Sequence, residues 1–262
     1  MFLLQQVRAG YGKRQILRID EMKFESNRIS VLIGRNGSGK STLLKAMAGI
    51  LPYKGEILAE SGKGSFHSVR EMPHRERARL IGLLPQSQPA VDMDVETLVM
   101  HGRYSRIVWP GRPGKKDTEA VNEAIDVCRI GDLCGRIVSG LSGGERQLCY
   151  LAMVIAQDPD YLLLDEPMSA MDISHQIRIM EILKTLKANG KTIILSSHDL
   201  PQAFTLADRI MLLSEGHIPG EGTPDQLCRR PELLNRVMGA SVRRAEGEGM
   251  LYPYVVTYAK IP

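Results

Sequence analysis

No apolar run in this chain approaches the roughly 18 residues that a membrane-spanning helix needs. The four cysteines, Cys128, Cys134, Cys149 and Cys228, form no C-x-x-C pair and stand beside no histidine cluster. A metal site is therefore set aside in favour of buried or half-buried thiols in a reducing compartment. Charge of one sign is not in large excess: 34 Lys and Arg against 30 Asp and Glu leave +4, with the two signs interleaved. That balance permits a nucleic-acid or anionic-lipid surface without arguing for one. The first residues lack a basic stretch and a cleavage site, so no secretion signal is expected. There is no internal repeat and no low-complexity tract. Phenylalanine is scarce, four residues against 13 Met, and the methionines read as core filler. What remains is ordinary for a soluble globular chain: 262 residues, 43% hydrophobic and 24% charged. That length suits one large domain or one domain carrying a substantial insertion.

Apolar strands alternating with helices set the organisation. Residues 2–8 alternate loosely, as in a strand, and residues 28–33 form a buried strand that runs into glycine. A helix over 41–48 stops at Gly49, and a strand follows at 54–59. A turn at 61–65 leads to a charged helix over 69–79 and an apolar strand over 80–84. Composition then changes. Residues 95–104 read as a helix, and RIVWPGRPGKK (106–116) as a loop by its Pro and Gly content. Asp117 and Thr118 open a helix through Val127. Residues 88–158 thus look like a helical block inserted into an α/β frame. The frame returns with strands at 161–166, 192–197 and 209–214 and helices at 174–188 and 200–207. Such a pattern predicts a mainly parallel sheet covered on both faces. The tail, 240–262, alternates weakly near Tyr254 and reads as a short hairpin.

GRNGSGKST, residues 34–42, matches G-x-x-x-x-G-K-[ST], with a strand expected before it and a helix after it. Gly34, Gly37 and Gly39, with Arg35, Asn36 and Ser38 between them, let the backbone curl around a phosphate without side-chain clash. Lys40 supplies a point charge to β and γ phosphates. Ser41 offers a hydroxyl to Mg²⁺, and Thr42 reaches an α phosphate. YLLLDEP then sets Asp165 and Glu166 at the end of a strand. Neighbouring strand residues point to opposite sides, so the two carboxylates need not share a task. Asp165 is expected to hold Mg²⁺, directly or through water, and Glu166 to orient or deprotonate an attacking water.

LSGGERQ, residues 141–147, is a second glycine-rich helix start that presents bare backbone N–H groups. One phosphate loop suffices for one nucleotide. A second such feature is redundant unless it serves a partner's nucleotide. Ser142, Gly143 and Gly144 would then close on the γ-phosphate bound to the opposite subunit, in a head-to-tail pair with two nucleotides between the subunits.

Taken in order, residues 34–42, Gln86, LSGGERQ, LLLDEP and SSHD resemble the ATPase subunit of an ATP-binding cassette (ABC) transporter, over nearly the whole chain to about Gly239. The resemblance implies a P-loop NTPase core with a mainly parallel sheet, an antiparallel β part near the N-terminus and an inserted α-helical subdomain. It implies one domain over 1–239, with ATP and Mg²⁺ as cofactors. It further implies that Tyr11 stacks on adenine and that Gln86 touches Mg²⁺ and senses a membrane partner. By the same resemblance residues 169–172 match the loop that crosses the dimer interface, with Asp172 as its key residue, and His198 matches the histidine that contacts the γ-phosphate. Glu166, His198 and Gln86 are the expected catalytic set, and Ser41, Gln86 and Asp165 the expected metal ligands. Departures exist. Met168 stands where Thr or Ser is usual and Met171 where Leu is usual, which bears on how tightly two subunits close. Asn27 replaces a common Gly, at little cost because Asn tolerates a left-handed turn. Residues 145–148 lack a second basic residue.

The segment after Gln86 is similar to the subfamily that drives import of ferric siderophores, haem and cobalamin, through TLVMHGRYSR, the Trp109–Arg112 loop and DISHQIRIMEIL. In that subfamily the helical insertion docks on a membrane permease, with Tyr104 and Trp109 as candidate contacts; packed core is the alternative for Trp109. The implied partners are a second copy of the chain, a multi-span permease and, indirectly, an extracytoplasmic substrate-binding protein, with no nucleic acid. The implied place is the cytoplasmic face of the cell membrane. Two other readings stand beside this one: an importer ATPase for a bare metal ion or oxyanion, and a soluble cassette ATPase acting on the ribosome or DNA. A nucleotide-binding module without turnover is disfavoured by the presence of both Glu166 and His198.

Overall fold

The computed structural model describes residues 1–62, 64–107, 111–169, 171–245 and 253–257. Trp109 and Ala170, and the expected contact of Trp109 with a permease, lie outside them. The chain begins with a long hairpin, β1 (Phe2–Tyr11) and β2 (Arg14–Phe24), joined by a two-residue turn in which Gly12 takes φ +57°. A left-handed Asn27, φ +57°, as its sequence allowed, leads into β3 (Ile29–Ile33), which is buried along its whole length. Then come α1 (Lys40–Met47), β4 (Tyr53–Ser61), β5 (Ser65–Ser68), α2 (His74–Leu80) and β6 (Ile81–Leu84). Three helices follow: α3 (Val95–His101), α4 (Lys115–Cys128) and α5 (Gly143–Ala156). The remainder alternates: β7 (Tyr161–Leu164), α6 (Ile173–Ala188), β8 (Thr192–Ser197), α7 (Leu200–Leu206), β9 (Arg209–Ser214) and β10 (His217–Gly222). It closes with α8 (Pro224–Cys228), α9 (Pro231–Met238), β11 (Ser241–Arg244) and β12 (Tyr254–Thr257).

The described residues form three sheets. An antiparallel one runs β2-β1-β4-β5. The central one runs β10-β9-β3-β8-β7-β6, parallel except for β10. The third pairs β11 with β12 antiparallel, Val242 opposite Val256. Side chains of the central strands alternate between two cores. Leu32, Leu163, Ile194 and Met211 join the core shared with α1 and the antiparallel sheet. Val31, Leu162, Ile193 and Ile210 join the core shared with α3 to α7. Burial on both faces is why these strands read as unbroken apolar runs.

Local readings need correction in two places. The helix expected over 69–79 starts only at His74. Pro73 biases Met72 away from helical angles, and the preceding residues extend the antiparallel sheet as β5, with Val69 fully buried. Asp117 does not cap α4 from outside. It is the third residue of the helix, and its carboxylate accepts from the Gly114 N–H at 2.9 Å. Buried Arg103 adds a tie among the three middle helices: Nε donates to Asp117 Oδ1 at 3.0 Å and Nη1 to the Ala156 carbonyl at 2.7 Å. The C-terminal hairpin packs on α7 through Phe204 and Tyr254, edge to face at 5.5 Å. Cys128 and Cys149 are buried, and burial pushes both thiols up to about 12. Among the described residues no helix is long and apolar enough to cross a membrane.

Candidate functional site

The phosphate loop is held by steric necessity at both ends. A Cβ on Gly34 would lie 2.2 Å from the Leu213 carbonyl oxygen, so β9 leaves room there only for glycine. Gly39 takes φ +109°, and a Cβ there would meet Leu17 Cδ2 at 2.7 Å. α1 begins one residue later with no side-chain cap, so its first N–H groups stay available. Ser38 Oγ is buried without a hydrogen-bond partner among the described residues. A buried orphan hydroxyl and uncapped amides in one loop suit an anion that supplies acceptors.

Lys40 lies inside the loop. Its ammonium donates to the Gly34 carbonyl at 2.8 Å and stands 3.7 Å from Glu166 Oε1. Burial lowers its pKa, and the charges of Glu166 and Asp165 work against that. The two carboxylates follow β7 directly. Asp165 is buried, and its Oδ1 accepts from Ser196 Oγ at 2.7 Å. Glu166 adopts φ +48°, a left-handed conformation unusual for a glutamate and typical of functional turns. Its backbone N–H donates to the same Ser196 Oγ at 2.9 Å. Its carboxylate Oε2 accepts from Gln86 Nε2 and from His198 Nδ1, each at 3.1 Å.

These groups surround one open cleft of about 820 Å³, lined by Asn36, Gly37, Gly39, Lys40, Ser41, Thr42, Gln86, Glu166 and His198, with Arg14, Ile16 and Ser169. Residues far apart in the chain are thus brought together as the sequence pattern required. Tyr11 is not among them. It stands half exposed at the end of β1 and lines an adjoining cleft with Lys13, Tyr53 and Lys54, the two clefts sharing Arg14. Ser41, Gln86 and Asp165 offer a hydroxyl, an amide and a carboxylate. This hard oxygen set with a single carboxylate suits Mg²⁺, which takes its remaining ligands from phosphate and water.

Ser142, Gly143, Gly144 and Asp172 line a different part of the surface. Ser142 caps α5 in a reciprocal box with Glu145: Oγ accepts from the Glu145 N–H at 3.3 Å, and the glutamate accepts from the Ser142 N–H at 2.8 Å. Asp172 caps α6. Met168 is buried in the core and Met171 packs against its edge. Tyr104 is 57% exposed, edge-on to His101. Sequence reasoning missed two residues here. Ser196, whose hydroxyl links the Asp165 carboxylate to the Glu166 backbone N–H, falls inside the SSHD motif, but nothing in that motif signals this contact. Gln147, buried on α5, donates to the Pro167 carbonyl at 3.2 Å and so ties that helix to the turn after Glu166.

A glycine loop between a parallel strand and a helix, facing strand-end carboxylates, defines a P-loop nucleotide-binding fold. The profile of the ABC transporter family matches residues 17–169. The petrobactin import ATP-binding protein FpuC of Bacillus anthracis is 34% identical over 250 residues, spanning 94% of this chain and 90% of that protein. The ferric enterobactin transport ATP-binding protein FepC of Escherichia coli K12 is 36% identical over 238 residues, spanning 90% and 86%. The dimeric ATP-binding cassette MJ0796, solved with ADP and Pi, shares the fold with a TM-score of 0.74 at 22% identity, over 86% of this chain and 99% of that one. The chain belongs to the ABC transporter family, as an ATP-binding and ATP-hydrolysing cassette.

Proposed function

We propose that this chain powers uptake of a ferric siderophore or a related metal chelate through a multi-span permease, working as a head-to-tail homodimer on the cytoplasmic face of the membrane. The observation that carries the cargo is the extent of the likeness: relatives aligned over nearly the whole chain are named for import of petrobactin and ferric enterobactin. A second reading, import of a bare metal ion, is favoured by one relative, the zinc transport ATP-binding protein TroB of Treponema pallidum, 35% identical over 78% of this chain.

The resting geometry supports a mechanism. Glu166 is engaged by Lys40, Gln86 and His198 at once. ATP in the cleft draws Lys40 to its β and γ phosphates and His198 to the γ-phosphate, which frees the Glu166 carboxylate to accept a proton from the attacking water. Mg²⁺, held by Ser41, Gln86 and Asp165, would neutralise charge on the phosphates. Tyr11 stacks on the adenine from the rim. Ser142, Gly143 and Gly144 of the partner copy, with its Asp172 loop, complete the γ-phosphate site. ATP thereby stabilises the closed pair, and its hydrolysis releases it, a shift between two states driven by a contact made in only one. Tyr104 on the inserted helices is the described candidate for permease contact.

The test is to tag Glu166→Gln, solubilise membranes mildly with ATP, and identify what co-purifies. A multi-span permease whose deletion abolishes ferric siderophore uptake supports the reading. A permease required only for a bare metal ion supports the second. Ribosomal proteins or DNA without a membrane protein would sink both.

A further inference from the structure

The third residue of α6, His175, does more than a helix start requires. The Asp172 carboxylate already caps α6 by accepting from the His175 backbone N–H at 2.9 Å, and Ser174 Oγ donates to it at 2.6 Å. One side-chain acceptor for an N-terminal N–H suffices for a cap. The imidazole adds Nδ1, donating to the same carboxylate at 2.9 and 3.0 Å from its two oxygens. These donors hold the Asp172 carboxyl well below the usual range. The ring also lies on the first turn of α5. A Cβ on Gly144 would sit 3.1 Å from His175 Cδ2 and 3.2 Å from Cγ and Nε2. Gly144 therefore has a packing reason to be glycine, and that reason is His175.

We infer that His175 is a positioning residue that locks the Asp172 loop and the Ser142–Gly144 helix start of one subunit into a single rigid edge, and that this edge serves the ATP bound by the partner copy. The inference rests on the head-to-tail pairing proposed above. Both parts of the edge face outward: Ser142 and Gly143 are exposed, and the Asp172 side chain is 65% exposed. The imidazole, 26% exposed, fills the space between them. Two loops that must meet one γ-phosphate together gain from a brace of this kind, because a displacement of about 1 Å in a supporting group costs on the order of a hundredfold in rate. Gln147, bonded to Pro167, ties the same helix to the turn after Glu166, and Arg136 holds Glu145 of its first turn at 3.1 Å; His175 is the residue that joins that turn to the Asp172 loop.

The test uses His175→Asn, whose amide still donates to Asp172 while the ring on Gly144 is gone. The single subunit is expected to melt as the parent does and to bind a fluorescent ATP analogue within twofold, with kcat about tenfold lower, the size of one or two lost contacts. A kcat equal to the parent's overturns the inference. Mixed dimers of full-length chains, purified through two different tags, then locate the effect. With Lys40→Ala and His175→Asn on one subunit, the working phosphate loop faces the altered edge, and hydrolysis falls about tenfold below the Lys40→Ala/parent dimer. With the two changes on opposite subunits it faces an intact edge and keeps its rate. The same two arrangements made with Ser142→Ala report on the pairing itself. Arrangement dependence for Ser142→Ala but not for His175→Asn overturns the role of His175 alone. Its absence for both overturns the head-to-tail pairing and the brace with it.

Discussion

Ser196 is the residue on which the placement of both strand-end carboxylates depends, and Ser196→Ala measures that dependence. Ser196 has no exposed surface. Its hydroxyl donates to Asp165 Oδ1 at 2.7 Å and accepts from the Glu166 N–H at 2.9 Å. Removing it orphans a buried carboxylate oxygen and a backbone donor together. Each orphaned group costs about 1–3 kcal/mol, and the pair shares one site, so about 2–4 kcal/mol is expected for the sum. For a chain of this size that is a fall in Tm of roughly 5–10 °C. Activity is expected to suffer more than stability. Glu166 holds a left-handed φ of +48°, and the bond to Ser196 helps keep it there. Such a conformation stores about 1–3 kcal/mol. When the bond goes, the turn relaxes and the carboxylate moves off the line of attack, so kcat is expected to drop about 10- to 100-fold. The assays are a thermal melt followed by circular dichroism and steady-state phosphate release at saturating ATP. A Tm within 1 °C of the parent together with a kcat within twofold would refute the reasoning.

Glu166→Gln removes the proposed proton acceptor while keeping an amide in its place; hydrolysis is expected to fall at least about 100-fold with ATP still bound, checked by phosphate release and by a stable ATP-dependent dimer on size exclusion. Two loop glycines are expected to respond differently. Gly34→Ala drives a Cβ to 2.2 Å from the Leu213 carbonyl and should prevent folding, whereas a Cβ on Gly37 meets nothing within 4 Å. Gly37→Ala is left only with the strain of φ +80°, about 1 kcal/mol, and both outcomes are read from soluble yield and thermal melts. Acid should uncouple the inserted helices. The Gly114 N–H holds the Asp117 carboxyl low, burial opposes this, and the Arg103 guanidinium adds to the lowering. Because that carboxyl is depressed in the folded state, its contribution is complete above an unfolded value of about 4 and is lost as pH falls through the folded one. Tm should stay flat from neutral pH to about 4 and then decline, with a shallower acid limb in Asp117→Asn; an identical limb would remove Asp117 from the cause.

What could be read from the sequence followed burial on both faces. The central strands were legible as apolar runs, because a strand buried on two sides tolerates no polar alternation. β2, RQILRIDEMKF, was not. It is an outer strand of the antiparallel sheet with a broken buried pattern, and a loose alternation of that kind does not separate strand from loop. The phosphate loop was legible for a steric reason, since glycine is the only residue that fits at Gly34 and Gly39. Ser196 and His175 lie inside the SSHD and DISHQIRIMEIL stretches, but what each of them touches was not legible. Each acts through a contact across the fold, with Asp165 in one case and Gly144 in the other, and no local spacing announces it. Tyr11, read from its motif position, lines the cleft that adjoins the phosphate cleft through Arg14.

The two glycine-rich helix starts sit on opposite faces of one sheet, and this division bears on how the cassette works. α1 packs in the core that the central sheet shares with the antiparallel sheet. α5 packs in the core on the other face, with α3, α4 and α6. β7 carries Asp165 and Glu166 between them. A helix start on one face cannot swing round to a ligand on the other without breaking a core whose residues are almost wholly buried. Under the pairing proposed here each chain therefore holds two incomplete halves of two sites, and ATP completes both by bringing two chains together. Such a design couples nucleotide to movement between subunits, because no motion within one rigid chain assembles the site. Closure can still be graded within a chain at the joints between the α5 edge and the sheet. Gln147 to Pro167 and His175 to Gly144 are two such joints. The first connects the α5 edge to the turn that carries Glu166, through the hydrogen bond from Gln147 to the Pro167 carbonyl.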